Sequence, residues 1–140
     1  MGRKLKRNPS DALEFTASHR FARISPPKVR LVADQVRGLS VSEAMNVLKF
    51  SPRRGAFFLD KVLKSAVANA DYATQQGDPN DEDRNASLEN LDLEDLYVHE
   101  AKVDVGPTYR RWRPRARGMA YPIIKRTSHI TIRLRPVRAS

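Results

Sequence analysis

Apolar residues recur every three or four positions in three stretches of this chain and at every second position in two others. Val29, Val32, Ala33 and Val36 mark the first helical stretch. Ser25-Pro26 before it can cap and open a helix, and Gly38 after it can stop one. Ser40-Val41-Ser42-Glu43 has the spacing of a capping box, in which each side chain satisfies an orphan backbone donor, and predicts a second, short helix to Lys49. Ser51-Pro52 repeats the start signal. Ala56, Leu59, Leu63, Ala66, Ala70 and Ala73 then step by three or four for about twenty residues and predict the main core helix, whose small alanines suit close packing on a sheet.

Period-two alternation predicts strands. Tyr97, His99, Ala101, Val103 and Val105 share one face, with Glu100, Lys102 and Asp104 on the other. Ile130, Ile132 and Leu134 alternate with His129, Thr131, Arg133 and Arg135. Thr16 to Ile24 alternates loosely, which suits a short edge strand. These elements make residues 15–137 one domain. Residues 1–14 are basic with almost no apolar anchor and read as a mobile arm, and residues 75–95, polar, acidic and rich in turn formers, as a surface insert.

Charge sharpens this picture. The 140 residues carry 26 Lys plus Arg against 16 Asp plus Glu, a formal charge of +10. Residues 1–70 hold 14 basic and 5 acidic side chains, residues 71–100 hold 1 and 10, and residues 101–140 hold 11 and 1. Two cationic regions thus flank an acidic one, and the field over the basic parts exceeds what the net charge suggests. The absence of cysteine excludes disulfides, thiolate metal sites and thiol nucleophiles. No apolar run approaches the roughly 18 residues of a membrane span, and the first residues lack the apolar centre of a signal peptide. The expected setting is cytoplasmic or organellar, and the expected partner an anion.

Between the two strands, residues 106–127 read GPTYRRWRPRARGMAYPIIKRT, with six Arg, one Lys, no acid, and aromatics at Tyr109, Trp112 and Tyr121. With a strand on each side, the simplest geometry is an extended hairpin turning near Arg117-Gly118, its tip reaching roughly 35 Å from the body. Such a segment cannot fold against itself cheaply. Its ordering is expected to come from a polyanion that neutralises the arginines while bases stack on Trp112 or on guanidinium planes. Planar guanidinium forks favour bidentate phosphate contact, as structured RNA would require. Pro107, Pro114, Pro122 and Gly118 break any amphipathic helix that could lie on a membrane.

ARISPPKVRLVADQVRG (22–38), KVLKSAVANA (61–70), VDVGPTYRRWRPRARG (103–118) and KRTSHITI (125–132) resemble, in order, the L twenty-two family of large-subunit ribosomal proteins. The resemblance implies an α+β fold, with a three-stranded antiparallel sheet packed with three helices and a long protruding β-hairpin. It implies a structural constituent of the large ribosomal subunit that binds large-subunit rRNA, supports its assembly and lines the polypeptide exit tunnel. On the body and hairpin base the implied rRNA contacts are His19, Arg20, Arg23, Lys28, Arg30, Lys125, Arg126, Ser128 and His129. On the hairpin they are Arg110, Arg111, Arg113, Arg115 and Arg117. The implied tunnel-lining tip is Arg111, Trp112, Arg113, Pro114, Arg115, Ala116, Arg117, Gly118 and Met119. Implied partners are rRNA, neighbouring large-subunit proteins and the nascent polypeptide. Neither a membrane nor a second copy of the chain is expected as a partner. Met119 and Pro122 stand where many relatives carry basic residues, and the acidic insert and N-terminal arm are extra to the family pattern.

Other signals are weaker. Asp78, Asn80, Glu82 and Glu89 fall at calcium-loop spacing, but Asp83 occupies the position where the sharp turn needs glycine. Asn85-Ala86-Ser87 matches a glycosylation acceptor by chance. His19, His99 and His129 are scattered singly, and no phosphate loop or carboxylate pair on regular structure suggests catalysis. No enzyme activity, metal or cofactor is expected. The competing function is a free-standing RNA chaperone or regulatory RNA-binding protein.

Overall fold

The computed structural model describes residues 13–76, 88 and 95–136. Strand β1 (Phe15–Ala22) is followed by helices α1 (Pro26–Val36), α2 (Val41–Phe50) and α3 (Arg54–Gln76), then by strands β2 (Leu96–Val105), β3 (Tyr109–Pro114), β4 (Ala120–Lys125) and β5 (Ser128–Pro136). β1, β5 and β2 form an antiparallel sheet in that order, and β3 and β4 form a separate antiparallel pair. The architecture is α+β, with three helices and a three-stranded sheet.

Local chemistry sets the helix ends. In α2 the Ser40 hydroxyl accepts the Glu43 N–H at 3.3 Å and the Glu43 carboxylate accepts the Ser40 N–H at 3.3 Å, completing the capping box. Ser25 precedes α1 in extended conformation, but its hydroxyl makes no capping bond. Pro26 and Pro27 have no N–H to cap, and the Lys28 N–H goes to the Ser25 carbonyl at 3.2 Å. Ser51 does not open α3 as its sequence suggests. It closes α2, donating its N–H to the Val47 carbonyl at 3.1 Å, and α3 begins at Arg54. Past α1, Gly38 takes φ +84°, a left-handed conformation that glycine adopts without strain, and its N–H reaches the Val98 carbonyl at 2.8 Å.

The core lies between the helices and one face of the sheet. Ile130, Ile132 and Leu134 of the central strand β5 are fully buried there with Val32, Leu59, Leu63, Leu96 and Val98. Burial of these large side chains is the main stabilising term, about 1.5–3 kcal/mol for each. Gly55 lets α3 approach α1, since a β-carbon there would lie 3.3 Å from both the Lys28 carbonyl oxygen and the Val29 Cα.

β2 departs from simple alternation. Its register against β5 shifts between Val98 and Glu100, and this bulge changes the phase of the side chains. Leu96, Val98, Ala101 and Val103 therefore face the core, while His99 and Val105 are exposed and Tyr97 is half-buried. The inward assignment of Tyr97, His99 and Val105 is thereby corrected. The open edge of β2 is covered by α1: Arg30 donates through Nε and Nη2 to the Val103 carbonyl at 3.2 and 3.0 Å, and Arg37 through Nη2 to the Ala101 carbonyl at 2.8 Å. Capped carbonyls cannot recruit a foreign strand.

Leu13 and Glu14 pack with the body: Leu13 is buried in the core and the Glu14 carboxylate lies 3.8 Å from Arg133 and 3.6 Å from Arg135. The rest of the N-terminal arm lies outside the described residues. In the acidic insert α3 runs on to Gln76, and Leu88 is buried in the core. The calcium-like spacing and the glycosylation match otherwise fall outside the described residues.

Candidate nucleic-acid interface

The strand pair β3–β4 aligns Tyr109 with Lys125, Arg111 with Ile123, Trp112 with Pro122 and Arg113 with Tyr121. Opposed residues of an antiparallel pair share a face, so Arg111 and Arg113 stand with Tyr121 on one side while Arg110 and Trp112 stand on the other. Every residue of the pair is exposed except half-buried Ile123. Two chain-local features close the tip. Arg117 and Gly118 take φ +61° and +68°, and the Arg115 N–H donates to the Met119 carbonyl at 2.7 Å. The turn therefore lies where the sequence places it.

None of Arg110, Arg111, Arg113, Arg115 and Arg117 has an acidic partner among the described residues. Arg111 donates to the neighbouring Arg110 carbonyl at 2.8 Å, and the Arg115 guanidinium lies 5.7 Å from the centre of the Tyr121 ring. Trp112 is 68% exposed and does not join the core. Apart from these two local contacts, no internal packing among the described residues holds the five guanidinium groups or the indole, all of which are exposed. Exposed guanidinium groups beside an exposed indole have the chemistry to meet an anion with stackable rings.

The hairpin root is clamped. Gly106 donates its N–H to the Thr127 carbonyl at 2.9 Å, and the buried Thr127 hydroxyl donates to the Pro107 carbonyl at 2.6 Å. Beside this root, Arg23, Lys28, Arg54, Arg111, Lys125 and Arg126 line a cleft of about 740 Å³ with no acid among the described lining residues. It brings together residues distant in sequence, from the end of β1, the first turns of α1 and α3, and both hairpin arms. Arg54 was not singled out from the sequence. The Arg53-Arg54 pair just after Pro52 was the available signal.

The other sequence candidates separate into distinct environments. Arg20 is exposed and His19 is half-buried, its ring 5.8 Å from Phe58. Arg30 spends two of its donors on the β2 edge. His129 accepts the Phe21 N–H on Nδ1 at 3.0 Å, and its ring packs perpendicular to the Phe21 ring at 4.8 Å. Phe21, at φ +59°, lies where the β1 register shifts. Ser128 is fully buried, so its side chain does not reach the surface. Among the described residues no cluster of His, Asp or Glu could hold a metal, and no helix is long and apolar enough to cross a membrane.

Residues 17–135 match the family described as Ribosomal protein L22p/L17e. The chain is 53% identical over 116 residues to the large ribosomal subunit protein uL22 of Ligilactobacillus salivarius, covering 83% of this chain and 88% of that one. The proteins of the same description from Rhodopirellula baltica and Maridesulfovibrio salexigens are each 48% identical. Their alignments span 121 and 120 residues, 86% of this chain in both cases, and 93% and 96% of theirs. All three relatives are described as proteins of the large ribosomal subunit. With the family match over residues 17–135 and relatives 48–53% identical over 83–86% of its length, the chain belongs to the ribosomal protein L22p/L17e family.

Proposed function

We propose that this protein, a structural component of the large ribosomal subunit, holds large-subunit rRNA with two connected surfaces and supports assembly of the particle. The first is the cationic cleft at the hairpin root. The second is the hairpin, whose tip from Arg111 to Met119 borders the passage taken by the nascent polypeptide. The observation that carries the reading is a two-stranded ribbon bearing five exposed arginines without acidic partners and an exposed Trp112. Phosphate contacts supply affinity, and RNA shape and unpaired bases supply specificity. Arg20, Arg23, Lys28, Lys125, Arg126 and His129 are the body and root contacts. Arg30 contributes through the strand edge it covers, and Ser128 through packing.

Sedimentation of ribosomes containing a tagged copy tests this. Co-migration with large subunits through a high-salt wash is expected. Release at moderate salt would instead favour a free-standing RNA chaperone or regulatory binder.

A further inference from the structure

A second surface, separate from the cleft and the hairpin, lies where α2 meets the start of α3. Phe57 is 58% exposed in the first turns of α3, and Phe50, the last residue of α2, is 79% exposed, more than any other large apolar side chain among the described residues. Phe57 helps line a groove of about 580 Å³ with Asn46, Lys49 and Arg53, and this groove shares no lining residue with the root cleft. Lys61 places its ammonium 4.5 Å from the centre of the Phe57 ring. Asp60 is the one acid in the lining, and its carboxylate is already held by Lys64 at 2.8 Å. Lys49 and Arg53 have no acidic partner among the described residues.

We propose that this groove binds an unpaired RNA nucleotide, its base stacked on Phe57 and its phosphates held by Lys49 and Arg53. An exposed ring among unneutralised cations suits a ligand that is aromatic and anionic at once, which a nucleotide is and an ordinary peptide is not. The Asn46 amide, able both to donate and to accept, can read a base edge. The inference goes beyond the hairpin reading, since it uses none of the hairpin's residues.

The test uses the full chain carrying Arg113→Ala, Arg115→Ala and Arg117→Ala, which weakens hairpin binding, and an adenine-rich single-stranded RNA oligomer as probe. The oligomer is expected to move the Phe57 ring proton resonances upfield, while the same strand paired in a duplex does not. Phe57→Leu, which keeps apolar bulk at an exposed position, is expected to weaken oligomer binding about tenfold without changing its salt dependence, and Phe57→Tyr to restore it. Lys49→Ala with Arg53→Ala should flatten the salt dependence. Unchanged affinity in Phe57→Leu overturns the proposal. So does displacement of the oligomer by an acidic, leucine-rich peptide that shifts the same resonances, which would make this a protein-docking groove. Because Phe57 is read directly in a hairpin-depleted chain, failure here leaves the hairpin reading standing, and failure of the hairpin reading leaves this one intact.

Discussion

Gly106 and Thr127 meet so closely at the base of the β3–β4 ribbon that position 106 has room only for hydrogen. A β-carbon there would overlap the Thr127 hydroxyl and lie 3.2 Å from the Thr127 carbonyl carbon. The hydroxyl itself is occupied in bridging to the Pro107 carbonyl. Gly106→Ala must therefore push the two arms apart, at a cost of about 1–3 kcal/mol. Thr127→Val, which keeps the shape but removes the bridging donor, should cost about 1 kcal/mol. Thermal denaturation of both variants gives the magnitudes, and faster exchange of the Gly106 amide would locate the damage at the root.

At the tip the expectation reverses. Replacing Arg113, Arg115 and Arg117 by Ala should leave the melting temperature of the body unchanged, because none of the three touches the core. Binding to rRNA should weaken, and its slope against log salt should flatten by about 0.7–0.9 for each phosphate that the chain no longer neutralises. Titration of rRNA binding over a range of salt concentrations measures this. A slope equal to that of the parent chain would mean that these side chains do not meet phosphates.

Arg30 should behave differently from the hairpin arginines. In Arg30→Met the Val103 carbonyl loses both its guanidinium donors, so the folded state should lose about 1–3 kcal/mol. The salt slope of RNA binding should barely move. Urea denaturation alongside the salt titration separates this edge-covering role from direct phosphate contact.

The capping box of α2 provides a local control. Ser40→Ala removes the acceptor for the Glu43 N–H and should destabilise the body by about 1 kcal/mol, whereas Ser25→Ala should cost much less, since the Ser25 hydroxyl makes no cap bond. Comparing the two variants by denaturant midpoint checks the distinction.

Features governed by near neighbours in the chain were legible in the sequence. The Ser40–Glu43 box, the three helices, the inward set Ile130, Ile132 and Leu134, and the turn at Arg117-Gly118 all depend on short-range spacing. The phase of β2 was not readable, because Leu96 and Val98 compete with Tyr97 and His99 for the core face, and a bulge set by pairing with β5 decides between them. Ser51 carried a start signal that the preceding helix used as a stop. For the site, the run of arginines without acids was visible, but the partners of individual side chains were not. That Arg30 turns to Val103, that Ser128 is buried, and that Arg54 joins the root cleft are results of tertiary packing between residues far apart in the chain.

Among the described residues the β3–β4 ribbon has no second layer beneath it, and this determines which changes the polypeptide itself can register. At Ile132 an altered side chain is felt at once by everything packed around it, so the fold itself polices that position. At Trp112 or Arg113 there is no interior to object, and mutational drift there would pass unnoticed by the folded chain. Any pressure that fixes the identity of those residues must come from outside the polypeptide.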